Sequence, residues 1–456
     1  MKLGVLALGR PTFDLPYAQE RLAAMWAALE AQDVDLVGTP ELLMDAEATL
    51  AALAEVRDAD QLLILQVTFT DAAMTLAIAE AFSGPLSIWA VPEPRLGGRL
   101  RLNAFCGLNL ASHALSVNDR PFGWLYADPD RDVSEDLAQL IAGHRAAEAV
   151  PLSDAGVGDD TGRALVDQLA RRKVARIGAH PEGFTTCAYD AEAVRAKMGV
   201  EVDALSLDTL FDAATGLPDG AEAPLHAQLS TQVEGLGDVD QTELSRSLRL
   251  KLALDQLRSE GRYDGFALRC WPETFTEYGG AICGPAGLLN EARVPCACEA
   301  DVWGTLTQLL LQDACEAPVF LADLVDMDLE DDTGVVWHCG QAPASMATGQ
   351  MSATVHTNRK MPLLYEFTLK PGPVTFLRLS QARGTPQMIL GFGEVLERPM
   401  AFTGTSGVVR FDKPAHQILK HVIDTGLEHH MALAYGDHRA VLRSAAAHLD
   451  LPIYEL

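Results

Sequence analysis

Four polar residues, each at the edge of an apolar segment, are the first candidates for chemistry. Glu299 directly follows the strand-like run Val294 to Cys298, and Asp323 ends the apolar run Val319-Phe320-Leu321-Ala322. His338 sits within Val335-Val336-Trp337-His338-Cys339-Gly340. His430 closes Glu428-His429-His430, just ahead of a strand-like run from Met431 to Tyr435. Two carboxylates with imidazole suit a hard or borderline divalent cation such as Mn²⁺. Each residue also has a plainer explanation. Glu299 or Asp301 can favour the N-terminus of the next helix through capping or its dipole. Asp323 can begin a turn, and a histidine pair can be a solvated loop. Spacing alone leaves both explanations open.

The surrounding pattern says what would position these groups. Leu3 to Leu8, Val34 to Val37, Gln61 to Val67 and Pro85 to Val91 read as short buried strands with helices between them. One of those helices carries Leu22, Met25, Trp26 and Leu29 on a single stripe. Strands alternating with helices imply a parallel sheet covered on both faces, with its ligand crevice beyond the strand ends. Ser153 to Asp160 is polar and contains glycine, as a linker would. After it the pattern restarts: a helix from Ala164 to Leu169, then strands Val174 to Gly178, Phe266 to Arg269 and Val294 to Cys298. From about Pro318 the texture becomes β-rich, with a strong turn at Lys370-Pro371-Gly372-Pro373. A helix near Asp437 to Leu449 closes the chain. The expected fold class is therefore α/β: two doubly wound domains, 1–158 and 159–317, followed by a β-rich, barrel-like C-terminal domain, 318–456, that completes the site.

Composition narrows the function. The 456 residues correspond to about three domains at roughly 150 residues each. Lys and Arg number 35 against 63 Asp and Glu, a formal charge of −28 that argues against nucleic-acid partners and anionic membrane surfaces. No run reaches membrane-spanning length, and the N-terminus reads as a strand. The eight cysteines are scattered, as in cytoplasmic proteins. No P-loop and no G-x-G-x-x-G follow an early strand. Cys296 and Cys298 share one face of a strand and read as buried thiols, so no zinc site is expected.

Several stretches, in their order along the chain, resemble the L-fucose/L-arabinose isomerase superfamily, and most closely its L-fucose isomerase-like members. They are Arg10-Pro11-Thr12-Phe13-Asp14, Val91-Pro92-Glu93-Pro94 with Leu102-Asn103-Ala104-Phe105-Cys106-Gly107, Cys270-Trp271-Pro272-Glu273, and Cys298-Glu299-Ala300-Asp301. The match continues through Phe320-Leu321-Ala322-Asp323, Trp337-His338-Cys339-Gly340, His429-His430 and Tyr435-Gly436-Asp437. The resemblance implies two Rossmann-like domains with a β-rich third. It also implies a Mn²⁺-dependent aldose–ketose isomerase, with Co²⁺ or Mg²⁺ as other possible ions. Such enzymes are homo-oligomers with active sites between subunits.

Residue by residue, the resemblance makes Glu299 and Asp323 the catalytic and metal-binding carboxylates, and His430 the C-terminal metal-binding imidazole. His338 matches a ligand histidine of the arabinose isomerases, where fucose isomerases carry another residue. The arabinose-type glutamate would fall on Ala322. Trp271, Glu273, His180 and Phe184 are expected to shape the sugar pocket, and Asn103 to reach a neighbouring subunit's site. The reaction implied moves a proton between C1 and C2 through a cis-enediol. The sugar stays open among pentoses, deoxyhexoses and modified sugars. A non-catalytic sugar-binding or regulatory protein, and a metal-dependent epimerase or lyase, are the alternatives.

Overall fold

The structure is a computed structural model that describes residues 1–148 and 150–456. Its first sheet contains β1 (Lys2–Leu8), β2 (Asp35–Leu43), β3 (Gln61–Gln66), β4 (Leu86–Ala90) and β5 (Gly123–Tyr126). These strands are all parallel, in the order β2-β1-β3-β4-β5. Along β1, Leu6 and Leu8 enter one apolar core while Leu3, Val5 and Ala7 enter another. Both faces are covered, which is why β1 is a continuous apolar run and does not alternate.

The second region supplies β6 (Lys173–Ile177), β7 (Glu201–Leu205), β8 (Val233–Glu234), β9 (Gly265–Leu268) and β10 (Cys296–Ala297). Of these, β10-β9-β6-β7 form a parallel four-stranded sheet, while β8 pairs with a later strand. The run Val294 to Cys298 contributes only two residues to the ladder, and Cys298 already begins the turn that presents Glu299. A 21-residue helix, Gln241–Gly261, lies between β8 and β9.

The last third holds β11 (Phe320–Asp328), β12 (Thr333–His338), β13 (Met351–Thr354), β14 (Leu364–Thr368), β15 (Gly372–Ser380), β16 (Gln387–Val395), β17 (Thr405–Phe411), β18 (His430–Tyr435) and β19 (Ile453–Glu455). The order β16-β15-β18-β11-β12-β17, with a further β16–β17 pairing, closes a ring of antiparallel strands. Closure removes exposed strand edges and fixes the register of every strand in the ring. Asp323 does not begin a turn: β11 runs on for five more residues.

The segment Ser153 to Asp160 is pinned at both ends. Ser153 and Ile453 exchange backbone hydrogen bonds of 2.8 Å. Asp159 caps the helix Asp160–Leu169, and Ser444 donates to its carboxylate at 2.6 Å. No described helix is long and apolar enough to cross a membrane. All eight cysteines are free thiols.

Asp326 of β11 joins the first sheet's loops to the ring. Its buried carboxylate accepts from the Glu93 backbone N–H at 3.1 Å, Arg95 Nε at 2.6 Å and Tyr126 Oη at 2.6 Å. Replacing Asp326 with alanine strands the Arg95 charge and two further donors in a mostly buried place. Urea unfolding should show a loss of about 3–5 kcal/mol; a loss within 1 kcal/mol of zero (roughly the size of an ordinary surface change) would mean the contact is incidental.

Candidate active site

Cys298, the residue after β10, leads into a tight turn. Glu299 (φ 59°) and Ala300 (φ 57°) both take left-handed backbone conformations, and Asp301 then caps the helix Val302–Cys315 by accepting from the Gly304 N–H at 2.8 Å. Left-handed geometry at two consecutive non-glycine residues is strained, and such strain persists only where surrounding contacts over-determine it. Its effect here is to aim the Glu299 side chain into a cavity beyond the ends of a parallel sheet, where ligands bind in such folds.

The other two acceptors come from the ring. In the β11–β18 ladder Asp323 lies directly opposite His430. That register sets Asp323 Oδ1 3.5 Å from His430 Nε2, and Glu299 Oε2 stands 3.9 Å from the same nitrogen. His338, at the end of β12, has its ring centroid 5.7 Å from that of His430. Asp323, His338 and His430 form one group whose ligand atoms all lie within 4.8 Å of each other. Cys187, Glu299, His429 and His430 form a second, so His430 is common to both. All except Glu299 are buried, so the histidine pair is no solvated loop.

Whether these residues could hold a divalent ion can be judged from their unused atoms. Asp323 Oδ1 and His430 Nε2 are buried without a hydrogen-bond partner. Orphaned acceptors are rare inside proteins and call for a ligand. The tautomer agrees: His430 Nδ1 lies 2.9 Å from Asp301 Oδ2, so the shared proton sits on that side and the Nε2 lone pair faces Glu299 and Asp323. Charge agrees too. The buried guanidinium Arg378 reaches Asp301 at 2.5 Å and Glu428 at 3.9 Å, so it is committed to those two carboxylates while Glu299 and Asp323 add further acidic groups to the site. A divalent ion would neutralise that surplus.

The two carboxylates facing His430 are pushed apart. Burial opposes the charge on Glu299, but a 2.8 Å hydrogen bond from His429 and the neighbouring imidazoles outweigh it and hold the group at about 2. Trp271 Nε1 donates to its other oxygen at 3.2 Å. Asp323 has no such donors; burial, only partly offset by His430, raises it to about 7. Burial lowers His338 to about 3, keeping that imidazole neutral. His338 Nδ1 accepts the Cys339 N–H at 2.9 Å.

These groups line a cavity of about 960 Å³, counting its open mouth. Glu299, Asp323, His338, Trp271, Phe184 and Asn103 all line it. Asn103 thus faces its own chain's cavity, with a buried Oδ1 lacking a partner. Phe184 packs edge-on against both Trp271 and His429, with centroids 5.4 and 5.8 Å apart. Glu273 is turned away into an ion pair with Arg269, and His180 Nδ1 lies 3.1 Å from the Pro181 carbonyl; neither lines the cavity. Sequence reasoning named His429 as part of the Glu428-His429-His430 run but gave it no role of its own. It read Asp301 only as a helix cap, a role Asp301 also fills. Nothing local marks Arg378, whose partners lie 77 and 50 positions away.

Two family models and several named relatives match the chain. A family model described as "Fucose/sulfoquinovose isomerase, N-terminal domain" matches residues 4–150, and one described as "L-fucose isomerase, C-terminal domain" matches residues 336–456. The chain is 30% identical over 422 residues to a sulfoquinovose isomerase of Alkalicoccus urumqiensis, covering 91% of this chain and 90% of that one. It is 30% identical over 437 residues to the enzyme so named in Priestia megaterium, covering 94% and 93%. To that of a Clostridium species it is 28% identical over 464 aligned positions, covering 100% and 99%. The chain belongs to the fucose/sulfoquinovose isomerase family, and its activity is that of an aldose–ketose isomerase.

Proposed function

We propose that this protein is a divalent-metal-dependent isomerase, with Mn²⁺ as the favoured ion, that interconverts sulfoquinovose and its ketose through a cis-enediol. The convergence of Asp323 Oδ1 and Glu299 Oε2 on the unpartnered His430 Nε2 carries the metal and proton-transfer part of the reading. The names of the relatives support the sugar. Glu299, Asp323 and His430 would hold the ion, with His338 beside them. When bound, the ion would supply Lewis-acid polarisation of the oxygens on C1 and C2.

The chain's own groups divide the remaining work. One carboxylate of the pair removes the C2 proton and returns it at C1, while the other passes the hydroxyl proton between O2 and O1. His429 and Trp271 each hold one oxygen of Glu299, fixing its direction. Phe184 and Trp271 wall the cavity with apolar surface and keep bulk water from the carbon that loses its proton.

Glu299→Gln, which keeps the size and loses the charge, should lower turnover of sulfoquinovose by at least about 10²–10⁴-fold. Product detection by NMR would check this, and a variant near wild-type rate would sink the assignment. Chelator treatment should abolish turnover and added Mn²⁺ restore it. Asp301→Asn retains a good helix cap but weakens the hold on His430 Nδ1, so calorimetry should show divalent-ion affinity falling about 10–100-fold. Asp323 must shed its proton before it can ligate. Affinity should therefore climb about tenfold per pH unit as pH rises toward 7 and level off above it. A flat profile across pH 6 to 8, taken with roughly unit steps, would contradict Asp323 as a ligand.

A further inference from the structure

On a chain with nearly twice as many acidic as basic side chains, the cavity holds two guanidiniums close together. Arg10, two residues past β1, bonds Asp71 Oδ2 at 2.8 Å through Nη2. Its guanidinium carbon lies 5.1 Å from the Trp271 ring centroid, and the same indole bonds Glu299. Arg359 lies on the turn 356–360, which the structure braces. The N–H groups of Asn358 and Arg359 both donate to His356 Nδ1 at 3.2 Å, and the Lys360 N–H donates to the His356 carbonyl at 2.7 Å. Arg99 ties the Asn358 side chain to the Thr12 carbonyl on the opposite wall.

Among the described residues Arg359 has no carboxylate partner, although its side chain is half-buried and lines the cavity. Burial, followed by the charge of Arg10, lowers it from its ordinary value, as expected of a cation short of a counter-ion. Of the two guanidiniums only Arg10 has a carboxylate of its own, Asp71, and Arg10 stands across the Trp271 indole from Glu299. The arginine fork matches a tetrahedral oxyanion, giving paired charge-assisted hydrogen bonds.

We propose that Arg359, assisted by Arg10, is an anion subsite that holds the sulfonate at C6 of the sugar while C1 and C2 lie against Glu299 and Asp323. The proposal rests on the isomerase reading for its substrate, but it can be tested without turnover. Alditols have no carbonyl and cannot isomerise. Calorimetry on the full metal-loaded chain would compare 6-deoxy-6-sulfoglucitol with 6-deoxyglucitol, and with glucitol 6-phosphate as the other tetrahedral anion.

The wild type should bind the sulfonate about 10–100-fold more tightly than the uncharged alditol. Arg359→Met keeps the aliphatic stem and should collapse that ratio to within about threefold, and Arg359→Lys should recover part of it. Loss of affinity for both alditols alike, with the ratio intact, would assign Arg359 a structural role and overturn the proposal. So would a wild type that does not discriminate between them, a result that stands even if the Arg359→Met variant fails to fold. Tighter binding of the phosphate would overturn the sulfonate assignment. A chain that discriminates between the alditols yet turns over no aldose would end the isomerase reading and leave the subsite standing.

Discussion

The site depends on the contacts of one buried carboxylate, Asp301. Its oxygens serve three partners from separate parts of the chain: the Gly304 N–H at the start of a helix, the Arg378 guanidinium on β15, and His430 Nδ1 on β18. Taking the Asp301–Arg378 pair out of water is costly. What offsets that cost is a pair of charge-assisted hydrogen bonds from the guanidinium, with Glu428 on its other side. Because Asp301 is committed to these partners, its use to the site is indirect. It fixes which nitrogen of His430 carries the proton and leaves the other nitrogen facing the two remaining carboxylates.

Around that anchor the fold supplies acceptors of two kinds. Asp323 and His430 are cross-strand neighbours in a closed ring, so their separation is set by ladder register. A one-residue slip of β11 would carry Asp323 to the opposite face. Glu299 arrives on a strained turn at the end of a different sheet. Its position is held by side-chain contacts with His429 and Trp271, not by a ladder. The rigid pair and the buttressed turn meet at the His430 Nε2 atom.

This also explains what could be read from the amino-acid order. β1, β3 and β4 were legible because strands covered on both faces are unbroken apolar runs. The metal-binding candidates were legible because Asp323 and Glu299 interrupt or terminate such runs. The length of β11 was not: Asp323, Asp326 and Asp328 look like the end of a strand until Arg95, Tyr126 and His430 are seen pairing with the first two. Ring closure was equally hidden, since β16 meets β17 only through tertiary contact. Asp301 was seen but understood by half, because helix capping was a sufficient local reason for an aspartate at that place. Arg359 sits in a polar turn, and its meaning comes from Arg10, nearly 350 residues earlier, on the other side of the same cavity.

The cavity is polarised, and polarity decides orientation. With a divalent ion held between Glu299 and Asp323 that floor would be close to neutral, which leaves the guanidinium of Arg359 as the charge at the other end that sorts the two orientations. A hexose carrying a sulfonate at one end and a carbonyl at the other would therefore enter in one sense only, anion toward Arg359 and carbonyl toward the carboxylates. Had Arg359 a carboxylate of its own, as Arg10 has Asp71, that end of the cavity would be close to neutral and the two orientations would differ far less. Leaving one guanidinium without a carboxylate costs some stability in the empty protein, and that unsatisfied charge is what would let a strongly acidic chain hold an anionic sugar the right way round.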